Sequence, residues 1–115
     1  VLIVEKSAIG YVLAQANGQV VYVYGKDTKG GSPACTGSCA AVWPPVRGIP
    51  LVSKADTLSA TLGTVSDANG AKQVTYNGRP LYTFKGAKPF TTNGNGVEGQ
   101  WHVIKLSASN ISGPA

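Results

Sequence analysis

Two cysteines, one histidine and five carboxylates are the side chains here with reactivity to offer, and their spacing narrows the chemistry. Cys35 and Cys39 lie four apart in a run rich in glycine, serine and alanine. An even cysteine count in a small, sparsely charged chain reads as a disulfide made in an oxidising compartment. Closing so short a loop restricts the unfolded chain by roughly 2 kcal/mol, so its main effect is local geometry. The bridge would pin a polar bend ahead of Trp43-Pro44-Pro45, with Gly37 supplying backbone freedom. A regular helix holds the two Cβ atoms too far apart, so a short irregular or helical turn is expected near Cys35–Trp43.

The principal expectation is no metal and no cofactor. The alternative is redox or metal handling, in which reduced Cys35 and Cys39 join His102 as copper ligands, one donor short of a closed zinc site. A second form of that alternative is a noncovalent haem between aromatic rings. Covalent haem attachment requires histidine directly after the second cysteine, and Ala40 stands there. Catalysis is not expected: Glu5, Asp27, Asp56, Asp67 and Glu98 show no pairing, and no Gly-x-Ser-x-Gly elbow occurs. Gly94, Gly96 and Gly99 do not form a phosphate loop, because no Gly-Lys-Ser/Thr follows. Asp27 opens Asp27-Thr28-Lys29-Gly30-Gly31, where a carboxylate after a strand can accept backbone N–H groups and fix a turn.

The elements that position these residues follow from the rest of the chain. Its 115 residues are one domain's worth, with 43% hydrophobic and only 13% charged residues, which excludes a solvated disordered chain. Fifteen glycines and seven prolines imply short strands and many turns. No run of 18 apolar residues exists to span a membrane, and the absence of methionine suggests a processed or excerpted segment. The net charge of +5 is spread along the chain without a basic stripe, so specific nucleic-acid binding is not expected.

Asn-Gly pairs favour tight hairpins, because both central residues of a type I′ turn need positive φ. Asn17-Gly18 separates 11–15 from 20–24, and Asn77-Gly78 separates 73–76 from 81–84. With 62–66 and Asn69-Gly70, the second hairpin extends to a three-stranded meander. A last strand is expected over 101–106, with Trp101, Val103 and Lys105 on one face and His102 on the other, half-exposed. Residues 91–96 read as an exposed loop, a mobile flap or a partner-facing edge. A helical turn capped by Ser53 or Asp56 is expected in the connector.

The chain also repeats itself. Residues 17–24 superpose on 77–84 at an offset of 60, and Trp43 matches Trp101 at an offset of 58. The expected fold is therefore all-β and mainly antiparallel, one domain over 1–106 with repeats at about 8–46 and 62–106. Residues 47–61 connect the repeats, and 107–115 form a tail. Pairing the repeats would gather Tyr22, Tyr24, Trp43, Tyr82, Phe84 and Trp101 near a pseudo-twofold axis. Tyr24 and Phe84 are expected in the core, whereas Tyr22, Trp43, Tyr82 and Trp101, with Asp27, are the candidate ligand-binding residues.

Tyr22-Val23-Tyr24-Gly25-Lys26-Asp27 fits the pattern Yx(FWY)xxD. With Cys39-Ala40-Ala41-Val42-Trp43-Pro44-Pro45, Tyr76-Asn77-Gly78-Arg79-Pro80-Leu81-Tyr82 and Trp101-His102-Val103, the chain resembles a bacterial secreted-repeat lipoprotein family of unassigned function, over about residues 8–105. The resemblance implies export to the cell envelope or exterior, often with a lipid anchor at an N-terminal cysteine outside this segment. The second copy departs from the pattern, with Ala87 where its aspartate would stand. The favoured function is a non-catalytic binding module with an aromatic surface and basic rim, acting on an envelope component or partner protein. A homo-oligomeric surface component assembling through exposed β edges is a further alternative.

Overall fold

The structure, a computed structural model, describes residues 2–27, 31–48, 61–67, 70–88 and 91–106. The expected helical turn at Ser53 or Asp56 and the tail at 107–115 lie outside them. The fold is all-β and mainly antiparallel, built from β1 (Leu2–Ser7), β2 (Gly10–Gln15), β3 (Tyr22–Tyr24), α1 (Ser38–Val42), β4 (Leu62–Ser66), β5 (Lys72–Tyr76), β6 (Arg79–Pro80), β7 (Trp101–Val103) and β8 (Lys105–Leu106). The strands form three small sheets, ordered β1-β2-β8, β3-β7 and β4-β5-β6.

The two repeats are related contact for contact. Tyr22 and Tyr82 exchange backbone hydrogen bonds of 2.7 and 2.9 Å, which joins the halves at their equivalent tyrosines. On either side the bonds come in matched pairs. Val21 N donates to Leu13 O as Leu81 N does to Val74 O, Leu13 N to Ile104 O as Val74 N to Val46 O, and Gly25 N to Gln100 O as Lys85 N to Val42 O. The first repeat needs one more residue between its paired positions, and this changes its turn. Asn77 and Gly78 both have positive φ, as type I′ requires, whereas of Asn17 and Gly18 only the glycine does.

Local strand preference is overridden where the halves meet. The arm at 20–24 pairs with β2 only at Ala14–Val20, then leaves to form β3 against β7. The third strand of the meander likewise stops after Arg79–Pro80, and Tyr82 bridges Tyr22 and Pro45 instead. The single strand expected over 101–106 is two: β7 pairs with β3 and β8 with β2, breaking at buried Ile104. Lys105 is therefore exposed while Leu106 turns inward, so Lys105 does not share the face of Trp101 and Val103. Strand β1 pairs with β2 along its whole length, as β4 does with β5, so the first repeat begins before residue 8.

Two apolar clusters form the core. Alternate residues of one segment feed both: Val12, Ala14, Val20 and Tyr22 enter the aromatic cluster, while Leu13 and Val21 join Leu2, Val46, Val74, Leu81, Ile104 and Leu106. Burial on both faces explains why these runs read as continuously apolar instead of alternating.

Candidate functional site

The six aromatic residues do converge, and the pseudo-twofold orders their rings. Phe84, Trp43, Trp101 and Tyr24 form a near-parallel column with centroid spacings of 4.3, 3.9 and 4.2 Å. The Trp43–Trp101 pair, 4° from parallel, occupies its centre. Each tryptophan therefore stacks on an aromatic of the other repeat. Tyr22 meets Trp43 edge-on at 5.4 Å and Tyr82 meets Trp101 edge-on at 5.2 Å, again as equivalents. Such edge and stacked contacts each contribute about 0.5–1.5 kcal/mol beyond the area they bury.

The loops that seat this column differ chemically. In the first repeat a Cys35–Cys39 disulfide, with Cα atoms 5.2 Å apart, ties the chain before α1 to its first turn, and Gly37 takes φ 60° at the helix start. Counted back from the paired tryptophans, Asn93 and Val97 stand at the equivalent positions of the second repeat. There Asn95 Oδ1 accepts Val103 N–H at 3.1 Å, Gly96 N–H donates to Trp101 O at 2.6 Å, and residues Val97–Gly99 form a 3-10 turn in place of α1. The expected flap is thus fastened down. Buried Gly94 lies against the rings of Tyr22 and Trp43 because it has no side chain to hold it away.

Residues of the repeated pattern meet across the interface. Asp27 is buried, and its Oδ1 accepts Ala34 N–H at 2.6 Å, the loop-fixing role expected of it. Its Oδ2 and the Tyr82 hydroxyl are the buried side-chain polar atoms without a hydrogen-bond partner among the described residues. The two groups act on each other without meeting in normal hydrogen-bond geometry. Burial raises the Asp27 carboxyl above its ordinary 3.8, opposed by Ala34 N–H, the Tyr82 hydroxyl and the Arg79 charge. Burial, then the Asp27 carboxylate, push the Tyr82 phenol well above 10.0. At the equivalent place Ala87 supplies no carboxylate, and the Tyr22 hydroxyl itself accepts Gly94 N–H at 3.1 Å.

A groove of about 330 Å³ opens where the column reaches solvent. Tyr24, Trp43 and Trp101 form its floor, Ser38, Cys39 and Val42 of α1 one side, and Glu98 of the 3-10 turn the other. Ser38 comes from the first repeat and Glu98 from the second, so the groove lies between the two halves. Val42 is 46% exposed there, and Glu98 holds a left-handed backbone at φ 54°, unusual for a residue with a side chain. Another hollow, about 380 Å³, lies beside Cys35, Thr36 and Pro45, and there Arg47 and Asp67 neutralise each other in an ion pair of 2.5 Å.

The expected aromatic surface requires correction. Tyr22, Trp43, Tyr82 and Trp101 are 1%, 5%, 0% and 2% exposed, because they pack on one another, although both tryptophans still line the groove. Tyr24 and Phe84 are partly buried against the same cluster, and Tyr24 lines the groove. The copper set does not assemble: both cysteines are in the disulfide, His102 is exposed on β7 opposite Val23, and no three metal-ligating side chains group among the described residues. Sequence reasoning missed Glu98, Ser38 and Val42.

A family model described as a secreted repeat of unknown function matches residues 4–47 and 63–105, one match per half of the pseudo-twofold. No curated protein and no solved structure matches the chain. Among the described residues no helix is long and apolar enough to cross a membrane.

Proposed function

Because the chain belongs to this family of secreted repeats of unknown function, we propose that it is a non-catalytic binding module that takes an envelope component or partner protein in the groove between its two repeats. The observation behind this reading is the coincidence of a rigid aromatic floor, an exposed apolar Val42 and a few polar groups at one concave place. Ligand sites are characteristically apolar hollows with a small number of placed polar groups, largely formed before binding. Ser38 and Glu98 supply those groups from opposite sides. The disulfide beneath α1 keeps the wall carrying Ser38 and Val42 in place without ligand, so little ordering cost attends binding.

The two tryptophans both floor the groove, so their indole N–H resonances report its occupation directly. Titration with muropeptides from digested peptidoglycan, and separately with phosphatidylglycerol vesicles, should move both indole signals with Glu98 and Ser38. Val42→Asp should weaken that response without unfolding the chain. Perturbations centred on Arg47 and Asp67, with both indoles unmoved, would transfer the site to the other hollow.

A further inference from the structure

We infer that the groove selects a cationic ligand: an ammonium group seated between the Glu98 carboxylate and the Tyr24 ring, on an apolar body that lies along Trp43, Trp101 and Val42. This rests on the binding reading of the groove and fixes the sign of the charge its ligand carries there. The chain as a whole is basic, at +5, and a basic rim is what its composition leads one to expect. The groove is the exception. None of its lining residues is lysine or arginine, and Glu98 is the one charged side chain among them. A carboxylate at a hollow in a basic protein sets the local potential against the overall one, and a bound group meets the local one.

Glu98 is also unpaired. Its carboxylate has no hydrogen-bond or ion-pair partner among the described residues, whereas Asp67, in the neighbouring hollow, is held by Arg47. Its backbone is strained. Between Gly96 at φ 87° and Gly99 at φ 68°, Glu98 takes φ 54°, where glycine would sit at no steric cost. The 3-10 turn around it is fixed, with Gly96 N–H donating to Trp101 O at 2.6 Å and Gln100 N–H to Val97 O at 3.1 Å. A strained residue that its surroundings hold in place beside a hollow points to a task for its side chain. The aromatic floor fits the same charge. Tyr24 ends the column: Trp101 stacks on it at 4.2 Å, its contact with Tyr82 is edge-on, and no ring among the described residues stacks on its other face. It is half-buried and lines the groove. The face of a tyrosine ring carries negative potential, so it attracts an ammonium group and repels a carboxylate. Across from Glu98, the Ser38 hydroxyl can accept a further ammonium N–H.

The test compares probes that share one chain and differ in the head, hexylammonium, hexanol and hexanoate, in titrations read at the indole N–H signals of Trp43 and Trp101. Hexylammonium should bind about tenfold more tightly than hexanol, as one partly exposed ion pair and one cation–π contact together provide, and hexanoate should bind more weakly than either. Glu98→Gln should remove most of the preference for hexylammonium, and Glu98→Lys should turn it toward hexanoate. If the glutamine variant does not fold, Glu98→Gly, which the left-handed backbone accepts, carries the same test. An uncrosslinked muropeptide carries a free side-chain amine and phosphatidylglycerol carries none, so Glu98→Gln should weaken the muropeptide response alone. Equal response to the three probes, a preference for hexanoate in the unaltered chain, or a preference for hexylammonium that survives Glu98→Gln would overturn the cationic assignment and leave the groove a binding site. Silence of both indoles toward every probe and toward muropeptides and vesicles would end the binding reading itself, and the cationic assignment with it.

Discussion

Gly94→Ala tests whether the second-repeat loop is part of the aromatic core. A methyl placed there lies 2.8 Å from Trp43 Cη2, 3.1 Å from Trp43 Cζ3 and 3.0 Å from Tyr22 Cζ. Comfortable carbon contacts begin near about 3.5 Å, so the neighbours must retreat by more than half an ångström. Trp43 cannot slide aside, because Trp101 and Phe84 hold its two faces at 3.9 and 4.3 Å. The loop must lift instead, and Gly94 N–H then loses the Tyr22 hydroxyl. Overpacking of this kind costs about 1–3 kcal/mol and a lost hydrogen bond about 1 kcal/mol. The expected total is about 3 kcal/mol, or a fall in Tm of about 12 °C for a chain of this size. Urea unfolding followed by tryptophan fluorescence measures it. Gly96→Ala is the control, for its added methyl meets nothing and only the φ of 87° is strained, at about 1–2 kcal/mol. In a Trp43→Phe background, which removes both contacting indole atoms, Gly94→Ala should cost at least about 1 kcal/mol less. If Gly94→Ala is no worse than Gly96→Ala, or the cycle shows no coupling, the loop is not seated on the column.

Three further outcomes follow from the same contacts. Replacing Cys35 and Cys39 by serine should lower stability by roughly 2 kcal/mol, the loop-entropy value for so short a bridge, and should broaden the amide signals of α1 before those of β5. Stability should decline as pH rises past 10. Burial raises the Tyr22 and Tyr82 phenols above their ordinary 10.0, so the unfolded chain releases those protons first. Each withheld proton then costs about 1.4 kcal/mol per pH unit, with no loss below that range, and a stability flat from pH 9 to 11 in urea titrations would contradict the burial of both hydroxyls. Leu13→Ala and Leu81→Ala should each cost about 2–5 kcal/mol, because both are fully buried in the aliphatic cluster, and calorimetry that finds either neutral would show that the cluster collapses around the gap.

Much of the local structure was written in the residues. Asn77-Gly78 encodes its turn, since asparagine and glycine are the residues that accept positive φ in succession. The repeat at an offset of 60 encodes the pseudo-twofold, and with it the meeting of six aromatics. What could not be read was which neighbour each strand would choose. Residues 22–24 and 82–84 suit a hairpin locally, yet they leave their hairpins because burying Tyr22 against Trp43 and Tyr82 against Trp101 outweighs a few more ladder bonds. The same competition splits 101–106 at Ile104. Burial of the candidate aromatics was misjudged for a related reason: a residue type suited to a binding surface is equally suited to a core, and only the stacking partner decides. Glu98 and Ser38 carry no signature of their own. They acquire one only from lining the same groove.

The geometry gives the pattern Yx(FWY)xxD a physical meaning that neither copy has alone. Its tyrosine supplies the backbone pair at the axis, Tyr22 with Tyr82. Its middle aromatic, Tyr24, stacks on the other repeat's tryptophan, as Phe84 does in the second copy. Its aspartate, Asp27, acts electrostatically on the other repeat's tyrosine hydroxyl. Every element of the pattern therefore acts on the opposite half, and β3 finds its ladder partner only in β7. A single repeat would leave one face of its tryptophan, one tyrosine and one strand edge uncovered, which is why the unit of folding is the pair. Once folding depends on the pair, the copies no longer need to be identical. The second has lost its aspartate and has no cysteines, and its loop is fixed by Asn95 and Gly94 instead. That divergence leaves Glu98 facing Ser38 across the groove. The symmetry supplies the scaffold, and the chemistry that can distinguish a ligand lies where the two copies differ.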